Sequence, residues 1–327
     1  MIKVDLVTGF LGSGKTSFIR EYAGYLIKNG LRVGILENDY GAVNIDRVLL
    51  GGLEGERCGI EMVIGGDDHA THLRRFRTKL IALSMTGYDR VIVEPSGVFD
   101  PDEFFDVLRD EPLDSWYEPG SVAAVVDASA PEIPESAEQR YLIAAQAANA
   151  GKIILSHLDG CSGSARRRAE ERTAELLNVV MEEFRCPRRF SEEDFLCAEN
   201  GAMEEKDFLA FSGCGFRQAD HVKLPVEREN RFGSVYIMEP GLTRERLEVI
   251  ISELLGNPEY GRVLRVKGFI PSGSGAGWCS FNVTRTESGF SETDRGQDVF
   301  IVIGEELCRE RIETLVKQQP AHAGHMV

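Results

Sequence analysis

The chain is short of positive charge: 37 Lys and Arg stand against 53 Asp and Glu, a formal net charge of -16. A phosphate-backbone partner needs a basic footprint, so nucleic acid is not expected as a partner. The densest basic stretches, Arg74-Arg75-Phe76-Arg77 and Arg166-Arg167-Arg168, lie in helix-like sequence and read as solvated helix faces. Long apolar runs are missing as well. None reaches the ~18 residues of a membrane span, and nothing at the amino terminus looks like a targeting peptide, so no membrane is expected either. The seven cysteines are scattered and odd in number, and none forms a C-x-x-C pair. Neither a disulfide framework nor a zinc ribbon is supported, and a reduced, cytoplasmic protein is expected. Internal repeats are absent. What the chain does have is 327 residues that are 43% hydrophobic, enough for one large domain or two ordinary ones.

Up to about residue 217, short apolar runs alternate with helix-like segments. Strands are expected over 3–8, 31–37, 61–64, 90–94, 122–127 and 152–155, and helices over 15–29, 70–85, 101–109, 139–149 and 165–184. Several strands are rich in Val and Ile, as strands buried on both faces are. The alternation predicts an α/β domain over 1–217, a mostly parallel sheet covered by helices. From 218 the pattern changes. Strands over 233–238, 262–270, 278–284 and 298–303, with helices over 243–255 and 305–317, predict a small α+β domain over 218–317. Residues 318–327 are expected to form a disordered tail.

The strongest motif is Gly9-Phe10-Leu11-Gly12-Ser13-Gly14-Lys15-Thr16, which fits G-x-x-x-x-G-K-[ST] between an expected strand and an expected helix. Glycines let backbone N–H groups turn toward phosphate oxygens, and the following helix adds the positive end of its dipole. Gly12, Ser13, Gly14, Lys15, Thr16 and Ser17 are therefore the expected nucleotide contacts. Lys15 would neutralise phosphate charge and the Thr16 hydroxyl would ligate Mg²⁺. Glu94 ends an apolar strand, where such enzymes place an acid for Mg²⁺, and Gly97 could bring a backbone N–H to the terminal phosphate. Lys15, Thr16 and Glu94 form the expected catalytic set. The fold class follows: a P-loop nucleoside triphosphatase domain.

The run from Thr8 to Thr16 resembles the phosphate loop of the CobW-like GTPases, nucleotide-dependent metallochaperones related to the hydrogenase- and urease-maturation GTPases. Further segments match in order. Asn38-Asp39-Tyr40-Gly41 with Ile45-Asp46 is similar to the family's switch segment. Val91-Ile92-Val93-Glu94-Pro95-Ser96-Gly97 with Asp100-Pro101 resembles its E-x-[ST]-G segment, and residues 261–270 and 297–305 resemble its C-terminal domain. The resemblance implies a Mg²⁺-dependent GTPase with slow intrinsic turnover. It implies a client metalloenzyme or cofactor-dependent enzyme as partner, and a transition metal such as Zn, Co or Ni as cargo; a homodimer stays open.

Two segments depart from the family. Where it carries G-C-x-C-C, this chain reads Gly65-Gly66-Asp67-Asp68-His69, and Ala42 replaces the switch glutamate. Asp39, Asp67, Asp68, His69 and His72 remain as candidate cargo ligands, with Cys58 and Glu37 nearby; carboxylate and imidazole shift preference away from soft cations. The competing reading makes Asp67 or Asp68 an ordinary helix N-cap. Where the family has N-K-x-D, the chain has Ser156-His157-Leu158-Asp159. Asp159 keeps the acceptor for guanine, Ser156 is shorter than asparagine, and His157 either stacks on the base or is a loop residue. Guanine is the expected base, with a relaxed or adenine preference as the alternative. The alternative function is a nucleotide-gated adaptor for a cofactor-dependent, for example corrinoid, enzyme that no longer carries metal. A P-loop kinase is disfavoured, since nothing resembles an arginine-rich lid.

Overall fold

The computed structural model describes residues 1–38, 50–63, 69–129, 133–134, 136–158, 163–197, 203–223, 232–273, 277–285, 288–294 and 296–317. The chain divides into two compact units, Met1–Val226 and Glu227–Val327. The sequence pattern changes at 218, but residues 216–223 stay packed on the first unit. Phe216 bridges to Ala150, Arg217 N–H donates to the Asn149 carbonyl, and Val222 N–H donates to the Phe184 carbonyl.

In the first unit, β1 (Ile2–Gly9), β2 (Val33–Asn38), β3 (Cys58–Val63), β4 (Arg90–Pro95), β5 (Tyr117–Asp127), β6 (Lys152–Ser156) and β7 (Phe195–Cys197) form one sheet in the order β3-β2-β4-β1-β5-β6-β7. Every pairing in it is parallel. The helices are α1 (Lys15–Lys28), α2 (His69–Ser84), α3 (Pro101–Arg109), a single turn α4 (Leu113–Trp116), α5 (Ala137–Asn149), α6 (Gly163–Glu183) and α7 (Glu205–Ser212). Burial explains the composition: every residue of β2 and β4 is buried, which only strands covered on both faces can achieve. Phe18, Ile19, Tyr22, Ala23 and Leu26 on α1 pack on Val7, Ile35, Ile60 and Ile92, and Phe208 and Phe211 of α7 close that layer. Beneath it Asp5 is held by Arg90, the Tyr22 hydroxyl and the Ser121 N–H, so its buried carboxylate is fully engaged.

Strand β7 and helix α7 have no counterpart in the sequence reading. Three residues of strand are too few for a period to show, and α7 is short. The basic stretches behave as expected on helices: Phe76 is buried while Arg74 and Arg75 are exposed. Among the described residues no helix is long and apolar enough to cross a membrane. The expected disordered tail, 318–327, lies outside the described residues.

The second unit is an antiparallel sheet in the order β11-β10-β9-β12-β8, from β8 (Phe232–Met238), β9 (Arg262–Pro271), β10 (Trp278–Thr284), β11 (Ser288–Thr293) and β12 (Val299–Glu305). Helices α8 (Arg244–Gly256) and α9 (Arg309–Lys317) supply Leu247, Ile250, Ile251 and Ile312 to a core with Val266, Phe281, Phe300 and Val302. The expected helix over 305–317 starts late. Glu305 still pairs with Phe232 and Arg262, and Glu306 takes a positive φ of 52°, which a helix does not accommodate, so α9 begins at Arg309.

Candidate functional site

The site gathers at the carboxyl ends of β1, β2, β4 and β6, where an open parallel sheet with its order broken around β1 leaves a crevice. The chain leaves β1 at Gly9 and turns through Phe10–Gly14 into α1. Gly12 and Gly14 have φ of 82° and 87°, a region that glycine enters without penalty, and Gly14 is the N-cap of α1. The loop curls around the Lys15 ammonium, which donates to the carbonyls of Gly9 (3.0 Å) and Phe10 (3.4 Å). The α1 N-terminus carries no acidic residue and no side-chain cap, so its dipole stays available to an anion.

The next residue meets Glu94. Thr16 Oγ1 donates to Glu94 Oε1 at 2.8 Å, joining the first turn of α1 to the end of β4 across 78 residues of sequence. Both are oxygen donors of the kind Mg²⁺ prefers, and Glu94 is buried. Around them Thr8 Oγ1, Ser13 Oγ, Asn38 Oδ1 and Ser96 Oγ are buried with no hydrogen-bond partner among the described residues. Orphaned hydroxyls and amides collected at one end of a sheet fit a polar ligand there, and the donor set fits a hard cation with a phosphate. Ser17 is exposed on the same turn.

Gly97 lies against the phosphate loop. A Cβ on it would sit 2.7 Å from the Leu11 amide nitrogen and from Leu11 Cδ2, so no other residue fits without displacing the loop. Its segment is held by Ser96 N–H to the Asn38 carbonyl and by Phe99 N–H to the Ser96 carbonyl. Asp100 then caps α3 through the Asp102 N–H, with Pro101 at its start.

At the end of β6, Ser156 packs beside Gly14: a Cβ on Gly14 would come within 3.3 Å of Ser156 Cβ. Its hydroxyl donates to the Val126 carbonyl. His157 has a φ of 55° and turns its ring to Asp127, Nδ1 to Oδ1 at 3.0 Å, beside an open cavity of about 530 Å³ that Ser129, Leu158, Arg168 and Arg172 also line. Burial opposes the Asp127 charge, but the hydrogen bonds from His157 and Ser129 outweigh it and hold its carboxyl below the usual range. The role of Asp127 is not visible in the sequence, where it is simply the last residue of an expected strand. Asp159 lies outside the described residues.

The candidate cargo ligands are only partly described. Asp39, Asp67 and Asp68 lie outside the described residues, and so does the side chain of His69, whose backbone opens α2. His72 is buried on that helix. Glu37 is buried at the end of β2, in register with Glu94. Cys58 is 2% exposed, and burial with the nearby Glu54 pushes its thiol up to about 11, so it is a protonated core residue at neutral pH. Among the described residues no three His, Cys, Asp or Glu side chains gather as a metal site.

The family model for the CobW/HypB/UreG nucleotide-binding domain matches residues 3–181. The chain is similar to the zinc chaperone YjiA of Escherichia coli (strain K12), 28% identical over 165 residues, 48% of this chain and 50% of that protein. It is also similar to the zinc chaperone CobW of Sinorhizobium sp, 30% identical over 141 residues, 39% of this chain and 37% of that one. The matches thus span half or less of these relatives. Among solved structures, Zn(II)-bound YjiA GTPase from E. coli aligns at 18% identity over 96% of this chain and 97% of that chain, with a TM-score of 0.34. With its model spanning more than half of the chain, from β1 through most of α6, the family is settled: the chain belongs to CobW/HypB/UreG through its nucleotide-binding domain.

Proposed function

We propose that this protein is a Mg²⁺-dependent GTPase switch of the metallochaperone type. The observation that carries the reading is the Thr16–Glu94 contact placed directly behind the glycine loop and Lys15. Lys15 exchanges its loop carbonyls for phosphate oxygens, and the amides of the loop, including those of Ser13 and Gly14, surround the same anion. Thr16 and Glu94 would hold Mg²⁺, which when bound neutralises charge on the phosphates. Gly97 N–H reads the terminal phosphate, and its loss on hydrolysis releases the segment that leads to Asp100. Ser156 and Asp159 are the residues assigned to the base, with guanine preferred, and His157, paired with Asp127, is assigned a loop role. Among the described residues no glutamine or arginine stands beside Thr16 and Glu94 to orient water, so intrinsic turnover is slow.

The zinc chaperones among the relatives support a metal-delivery role toward a client enzyme. The same protein as a nucleotide-gated adaptor that carries no metal is favoured by Gly65-Gly66-Asp67-Asp68-His69, which stands where the family resemblance implies thiolates. Calorimetric titration with GTP and with ATP in Mg²⁺, followed by Zn²⁺, Co²⁺ and Ni²⁺ on each loaded form and on His69→Ala, decides between them. The chaperone reading expects GTP to bind more tightly than ATP and one transition metal to bind wild type more tightly than the variant. No transition-metal binding in any loaded form would leave the adaptor.

A further inference from the structure

Gly97 N–H can read a terminal phosphate only if its segment is held at a fixed height over the loop. Leu11 limits it on one side, as the 2.7 Å approach shows. The hold on the other side comes from α5. Gln146 is 2% exposed, and its Nε2 donates to the carbonyls of Gly97 (3.2 Å) and Phe99 (3.3 Å). Both partners only accept, so the donor end of the amide must face them. The flanking residues Ala144, Ala145, Ala147 and Ala148 are all buried. A lone amide in such surroundings costs stability unless its N–H groups are used, and a filler of the same size would be leucine or methionine. From the same helix the Tyr141 hydroxyl reaches Asp100 Oδ2 at 3.3 Å. The turn 96–99 is therefore pinned at two carbonyls and at its exit.

We propose that Gln146 is a positioning residue for terminal-phosphate recognition. It touches no substrate; it fixes the carbonyls of Gly97 and Phe99, and so holds in place the turn whose Ser96–Gly97 peptide, tied by Phe99 N–H, carries the Gly97 N–H. The inference rests on the assignment of Gly97 given under the proposed function. Its consequence is selective. A diphosphate does not reach Gly97, so only triphosphate binding depends on Gln146.

The test uses the full chain and Gln146→Met, which keeps length and volume and removes both donors. Titrations in Mg²⁺ compare GDP with a non-hydrolysable GTP analogue, with Gln139→Met as a second buried-glutamine substitution on the same helix. Gln146→Met is expected to weaken the analogue about tenfold, the scale of one or two lost hydrogen bonds. GDP should stay within about twofold, and Gln139→Met should leave the ratio unchanged. An equal loss for both nucleotides, or no loss for either, overturns the proposal and leaves Gln146 a structural residue. Wild type that binds neither nucleotide removes the proposed function itself, and this inference with it. Should Gln146→Met fail to fold, hydrogen exchange of residues 96–100 in wild type replaces it. Protection by the GTP analogue but not by GDP is expected, and equal protection overturns the proposal.

Discussion

At the scale of single residues, Lys15 sits inside its own loop and Thr16 meets Glu94 behind it, a placement the motif leads one to expect. Lys15 and Thr16 could be named from sequence because a phosphate loop fixes both spacing and role, and Glu94 because it ends an apolar strand three residues before Gly97. Asp127 and Gln146 could not, since each acts through a contact about 30 to 49 residues away in sequence. For Gln146 one signal existed: an amide flanked on both sides by pairs of alanines in a helical run. His157 is open in sequence between a stacking residue and a loop residue, and the structure gives it a positive φ and an Asp127 partner that its position in sequence does not reveal. The Asp127 pair carries a pH prediction. A carboxyl held below its usual value stabilises the fold above that value and ceases to do so as pH falls through the lowered one. Urea unfolding of wild type should therefore lose more stability below about pH 4 than Asp127→Asn does; parallel curves would show the pair to be unimportant.

At the scale of elements, the chain is legible where a period has room to develop. Helix α3 and strand β10 have the bounds that the apolar pattern marks, and α1 differs by one residue at its end. The failures are short or interrupted pieces: β7 with three residues, β11 with its exposed Ser and Glu, and the start of α9, delayed by the backbone at Glu306. Helix α7 shows what this costs. Its Phe211 is fully buried and meets Phe18 edge-on at 5.1 Å and Tyr22 at 4.8 Å, so a segment without a strong sequence signature covers the helix that carries the phosphate loop. Phe211→Ala should lower unfolding free energy by about 3–5 kcal/mol, read from denaturant curves. A loss under about 1 kcal/mol would mean that α7 contributes little to holding α1.

At the scale of the whole molecule, a parallel sheet and a single phosphate loop pointed to a nucleotide, and the net acidity made a nucleic-acid partner unexpected. Membership of CobW/HypB/UreG is consistent with that, while the replaced thiolates distinguish this chain from the pattern its family resemblance implies. Everything proposed for switching and delivery depends on the triphosphate being gripped by residues 9–16. The direct measurement is equilibrium binding of a fluorescent GTP analogue in Mg²⁺ to wild type and to Lys15→Ala, with circular dichroism confirming that both are folded. Saturable binding to wild type and a roughly 100-fold weaker constant for Lys15→Ala, about 2.7 kcal/mol, is the expected result. Equal affinity in the two proteins, or no binding to folded wild type at millimolar analogue, would contradict it.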